Sequence, residues 1–226
     1  LIIPLAFGLR EPGFQGAAPP KRDQTIGHAL REAFSYPSFN LLMAGYFVCG
    51  FQVVFIGVHM PSYLKDNGLS PQVASYALAL IGLFNVFGTY IAGTLGQRMP
   101  RRFILSFIYL ARAVAISVFL LVPLSPLSVY IFSAVMGTLW LSTVPPTNAT
   151  IAQIFGVQHL SMLGGFVFFS HQLGSFMGVW LGGYLYDATG SYDIVWYIAI
   201  GLGVLAGLVN LPIKEAPIQR AQPQAA

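Results

Sequence analysis

Six stretches of the chain, at roughly 38–60, 73–95, 103–122, 127–150, 163–186 and 192–211, are apolar on every side of a helix. A bilayer core of about 30 Å takes about 20 helical residues to cross, and each stretch is of that order. A surface helix of a soluble protein keeps a polar face, and these keep none. Hydrocarbon offers no partner to backbone polar groups, so each stretch must satisfy its own and reads as a helix rather than a strand. Composition agrees: 56% of the residues are hydrophobic and 8% are charged, against roughly 25% charged in an ordinary soluble domain. The expected fold class is an all-α membrane protein of six transmembrane helices.

Other classes are excluded quickly. Cys49 is the single cysteine, so no intrachain disulfide can form and no thiolate metal framework is expected. No nucleophile elbow, H-E-x-x-H pair or intramembrane Asp pair occurs, so the chain does not read as an enzyme, and no cofactor is expected. The net charge of +4 does not point to nucleic acid. Its basic residues lie in short loops between apolar stretches, which is a topology signal.

The chain divides by polarity. Residues 1–9 open with Leu1-Ile2-Ile3-Pro4-Leu5, without Met or a preceding basic run, and read as the stump of an earlier helix. Residues 10–37 form a polar connector, residues 38–212 a six-helix domain and residues 213–226 a tail. Within the connector, Ile26, Ala29, Leu30, Ala33 and Phe34 share one helical face. Two readings stay open for it: an interfacial helix on the leaflet, or a lead-in packed on protein. Breaks are expected at Pro61 with Asn67-Gly68, at Pro100, at Pro123 and Pro126, and at Thr189-Gly190-Ser191, where Ser191 is a candidate N-cap.

Charge sets the orientation. Arg10, Lys21, Arg22, Arg31, Arg98, Arg101, Arg102, Lys214 and Arg220 fall on one side of the spans, Lys65 on the other and Arg112 inside one. The basic side is expected to be cytoplasmic, with both ends of the chain inside.

An internal repeat narrows the function. Gly93-Thr94-Leu95-Gly96-Gln97 and Gly183-Tyr184-Leu185-Tyr186-Asp187 both read G-x-L-x-[Q/D], each closing the middle helix of a triplet. Three helices is an odd number, so the second triplet must run the opposite way through the membrane. Two inverted three-helix repeats are a hallmark of secondary transporters.

The segment from Gly93 through Gln97 and Arg98 to Arg101-Arg102 resembles the G-x-L-x-D-R-x-G-R-R loop motif of the major facilitator superfamily. Gln97 stands where that motif has its acid, and Pro100 where it has its second Gly. The resemblance implies that the six spans are helices 7–12, the C-terminal half of a twelve-helix carrier whose N-terminal half is missing. It also implies a gating loop made of Gly93, Gln97, Arg98, Arg101 and Arg102. His59-Met60-Pro61-Ser62-Tyr63-Leu64 and Asp187 through Asp193 resemble bacterial members similar to monocarboxylate transporters, although residues 73–95 lack the charge such carriers generally have in helix 8. Secondary active transport of a small organic anion by alternating access in a bacterial inner membrane is what the likeness implies, with protons a candidate coupling ion. A drug or sugar carrier, or a non-transporting six-helix protein, are the alternatives.

Ionisable groups inside a membrane are costly, so each is a candidate by default. No acid lies deep in a span: Asp66 is in an outer loop, and Asp187 and Asp193 flank an outer turn. A proton relay would use a His here or an acid in the missing half. Arg112 stands nine residues into its stretch, ~13–14 Å deep at 1.5 Å per residue. It is either a clamp for an anionic substrate or a structural Arg turned onto neighbouring helices. His171 and Gln172 sit at similar depth, on the equivalent of cavity-lining helix 11, and imidazole titrates near neutral pH. Gln52 and Asn85 are single mid-span polar residues that face the pathway or join helices. His59 reads as a loop anchor. Trp140 and Pro145-Pro146 mark a kink or break. Ser170, Gly174, Gly178 and Gly182 repeat every four residues, a face for close helix packing.

Overall fold

The computed structural model describes residues 24–219, and among these it is helical, with no strand. The expected stump at 1–9 and most of the connector lie outside the described residues. The helices are α1 (Ile26–Ser35), α2 (Pro37–Asp66), α3 (Pro71–Leu95), α4 (Arg101–Leu121), α5 (Pro126–Leu139), α6 (Val144–Phe155), α7 (Leu160–Thr189) and α8 (Asp193–Asn210). Pro37, Pro71 and Pro126 each open a helix, where a missing N–H costs nothing and a fixed φ helps.

Among the described residues five spans, not six, are long and apolar enough to cross a membrane: α2, α3, α4, the broken pair α5–α6 taken as Pro126–Phe155, and α8. The exception is α7, which at 30 residues has the length of α2. Its Gly and Ser residues, with His171 and Gln172, dilute its apolar character.

Two expected punctuation marks are corrected. Pro61 lies inside α2 rather than ending it. A proline forfeits one backbone bond and crowds the carbonyl four residues back, here that of Gly57, while the rest of the helix continues. The chain turns instead at Asn67-Gly68, where Gly68 takes φ 82° and the Asn67 amide donates to Tyr63 O at 2.8 Å. At the start of α8 the capping position belongs to Tyr192, not Ser191. Ser191 Oγ still accepts the Asp193 N–H at 3.1 Å.

The helix expected in the connector is α1, capped by Thr25 Oγ1. Ala29 and Ala33 are buried, and Phe34 meets Phe39 and Phe166 edge-on, both at 5.4 Å. The face is only partly covered by protein, since Ile26 is 51% and Phe34 42% exposed, and both readings of it stay open.

The bundle is built from close pairs. The largest contacts join α2 to α7, α3 to α5 and α4 to α8. The small-residue stripe of α7 makes the first pair possible. A Cβ at Gly174 would sit 1.9 Å from Phe47 O, and one at Gly50 would sit 2.0 Å from His171 O. Ser170 Oγ donates to Met43 O at 2.7 Å. Aromatic packing around Trp196, with Phe55, Phe119 and Phe132, fills the end near the Asn67 turn. A second apolar cluster, including Phe39, Phe155 and Ile213, fills the opposite end.

Candidate functional site

Mid-bundle, α5 stops at Leu139 and α6 starts at Val144. The break expected from Pro145-Pro146 falls just before them, which puts both prolines in the first turn of α6, where no intrahelical donor is needed. A break in hydrocarbon must find partners for the backbone groups it frees. Arg112, on α4 and 0% exposed, supplies one side of this. Its Nε donates to Leu139 O at 3.1 Å. Its Nη2 donates to Leu139 O at 2.6 Å and also to Trp140 O. On α3, Asn85 Oδ1 accepts the Leu141 N–H at 3.0 Å. Cys49, on α2, lies 3.3 Å from Thr143 Oγ1 and accepts from Arg112 Nη1 at 3.4 Å.

Two of the intramembrane candidates, Arg112 and Asn85, are therefore brought together, and what unites them is the helix break. The guanidinium is engaged by carbonyls and a thiol. The ion pair among the described residues is elsewhere, between Arg101 and Glu215.

Gln52 stands apart from this group. Its Nε2 donates to Ala199 O at 2.9 Å, joining α2 to α8, while its Oε1 is buried without a partner among the described residues. His59 Nε2 lies 3.0 Å from Val179 O, and its ring packs on Phe55 and Tyr192. It ties α2 to α7, as an anchor does.

Beside the break, a cavity of about 570 Å³ opens between α2, α6 and α7, lined by residues including Tyr46, Asn148, Gly164, Phe168 and His171. The imidazole is 8% exposed. It stacks on Phe168 at 5.6 Å and leans against Tyr46 at 5.3 Å. Its Nδ1 is 3.2 Å from Gln172 Oε1 and 3.3 Å from Ser175 Oγ. Gln172 itself is exposed and does not line the cavity. Tyr46 and Asn148 were not singled out by sequence as pathway residues. Tyr46 carried a usable signal, a phenol at mid-depth one turn from Cys49 on α2.

The basic loop is a separate structure at the Pro37 end of the bundle. Gly93 packs near Pro145, where an added Cβ would lie 3.7 Å away. Arg101 reaches Gln153, and its Nη1 lies 3.4 Å from Glu215. The Arg102 backbone N–H donates to Glu215 Oε1 at 2.9 Å. Gln97 and Arg98 are exposed.

Comparison with known proteins decides the family of this bundle of long apolar helices, one of them broken where Arg112 and Asn85 bond its backbone. The family model described as Major Facilitator Superfamily matches residues 7–226. The chain belongs to the major facilitator superfamily. It is 26% identical over 218 residues to an uncharacterized MFS-type transporter, YcxA, of Bacillus subtilis (strain 168), covering 93% of this chain and 53% of that protein. It is 26% identical over 181 residues to monocarboxylate transporter 13 of Rattus norvegicus, covering 77% and 40%. With monocarboxylate transporter 12 of Mus musculus it shares 25% over 189 residues, covering 76% and 38%. The chain thus spans about half the length, or less, of these relatives. As a member of this superfamily with several membrane-length apolar helices, it is an integral, multi-pass membrane protein.

Proposed function

We propose that this chain is the C-terminal half of a twelve-helix secondary carrier that moves a small organic anion by alternating access. Its share of the pathway is the cavity between α2, α6 and α7, and α7 is the sixth span, completing two inverted triplets. The observation that carries this is the cavity's chemistry: His171, Tyr46 and Asn148 offer hydrogen-bond donors, and among the described residues no carboxylate lines it. That set receives a carboxylate and repels none. Names among the relatives point the same way, two of them being monocarboxylate transporters.

In this reading Gln172, on the outward face of α7, meets the N-terminal half. Arg112, Asn85 and Gln52 hold the walls in place. The Gly93–Arg102 loop acts in switching rather than binding, at the cytoplasmic face of a bacterial inner membrane, with both chain ends inside.

His171 is the proton-handling group of this half. Imidazolium attracts an anion and neutral imidazole does not, so uptake is expected to rise as pH falls through the ~6.5 reference range of His. In the full-length carrier, His171→Gln keeps a polar side chain and removes the titration. Radiolabelled lactate uptake into proteoliposomes, measured from roughly pH 5.5 to 7.5, is expected to lose its pH dependence. A well-folded variant with an unchanged profile refutes the role.

Topology has its own test. A cysteine at position 65 is expected to react with an impermeant maleimide in intact cells, and one at position 98 only after permeabilisation. The reverse pattern inverts the assignment.

A further inference from the structure

We propose that the pocket at the junction of α3 and α4 holds the phosphate headgroup of an anionic phospholipid from the adjoining leaflet. The pocket measures about 490 Å³, and its lining includes Arg98, Arg101, Arg102, Gln153 and Glu215. Three guanidiniums face one carboxylate. That carboxylate is already engaged by Arg101 and by the Arg102 backbone, so the site keeps a positive excess.

Its donors are also underused. The Nε atoms of Arg101 and Arg102 are buried without a hydrogen-bond partner among the described residues. Phosphate is an acceptor-only anion whose oxygens match guanidinium forks.

What distinguishes a lipid from free phosphate is the surface beside the pocket. Leu95, Met99, Phe103 and Phe107 are large, apolar and exposed, and they lie on or between helices of membrane-spanning length. Phe103 carries the Arg102 guanidinium 4.8 Å over its ring, which places the basic group directly above the apolar strip. Charge at headgroup level with an apolar strip at acyl depth is the pattern that retains anionic lipid. The inference depends on α3 and α4 spanning a bilayer, and not on the transported solute or on the His171 cavity.

The test is native mass spectrometry of the full-length carrier in detergent, with dioleoylphosphatidylglycerol or dioleoylphosphatidylcholine added. Phosphatidylglycerol is expected to be retained several-fold over phosphatidylcholine. Arg98→Gln, whose side chain has no partner among the described residues, is expected to lower that preference, and Arg98→Gln with Arg102→Gln to abolish it. Lys65→Gln, at the opposite end, leaves it intact. Equal retention of both lipids, or a preference unchanged in the Arg98→Gln and double variants, overturns the proposal. Displacement of the lipid by millimolar inorganic phosphate alone does so too, because it assigns the pocket to a soluble anion.

Discussion

Replacing Arg112 with methionine is expected to cost the full-length carrier much of its heat stability and folded yield. Methionine fills a comparable volume but donates nothing, so Leu139 O and Trp140 O lose the donors they have across the break. A buried acceptor left unpaired costs roughly 1–3 kcal/mol. Interhelical bonds in membranes fall toward the low end, because the unfolded state in lipid also finds partners. Two orphaned carbonyls therefore predict a loss of about 1–3 kcal/mol, a sizeable part of a typical stability. Arg112→Lys should fall between, since one ammonium keeps the charge without the fork that spans two carbonyls.

The check is the melting midpoint of each variant in detergent, read as the fraction still monodisperse after heating. A methionine variant that melts like the parent and transports normally shows that the clamp is dispensable. One that melts like the parent but has lost transport returns Arg112 to the pathway, as the anion clamp weighed from the sequence.

The contrast between Arg112 and the spans around it shows what the sequence could and could not reveal. Membrane-length helices are legible because hydrocarbon imposes one requirement, internal satisfaction of the backbone, on every residue that crosses it. The α5–α6 break was legible for a related reason, as Pro145 and Pro146 remove consecutive donors. Pro61 carries the same local signal, yet α2 runs through it. One missing bond in a 30-residue helix is offset by packing, and packing is not a local property. For α7 the sequence reading and the hydropathy of the helix part company: 163–186 reads as a span, yet α7 is not among the five helices apolar enough to cross. Two of the glycines that dilute its apolar character, Gly174 and Gly178, are ones that let it lie against α2.

Partnerships were the illegible part. Asn85 meets Leu141 from 56 positions away, and Arg101 meets Glu215 across 114. No periodicity encodes such pairs. His171 and Gln172 are neighbours in sequence, but a helix turns about 100° per residue, so one lines the cavity while the other faces outward. The two side chains still meet, His171 Nδ1 lying 3.2 Å from Gln172 Oε1, so what the sequence could not show is which of them turns to the cavity.

The central claim, that solute passes through the cavity between α2, α6 and α7, is tested most directly by filling that cavity. Gly164 lines it, and a Cβ there meets only Asn148 Oδ1, at 3.6 Å, an ordinary contact. Gly164→Phe can therefore project a ring into the space without parting the helices, unlike any change at Gly174 or Gly50. Gly82, on α3, has nothing within 4 Å and lies away from the cavity, so Gly82→Phe is the matched control. In proteoliposomes of the full-length carrier, uptake of whichever organic anion the parent moves is expected to fall to background for Gly164→Phe and to stay near the parent rate for Gly82→Phe, with both proteins melting like the parent. Uptake at the parent rate by a stable Gly164→Phe carrier would contradict the account, because a pathway plugged by a phenyl ring cannot be the route the solute takes.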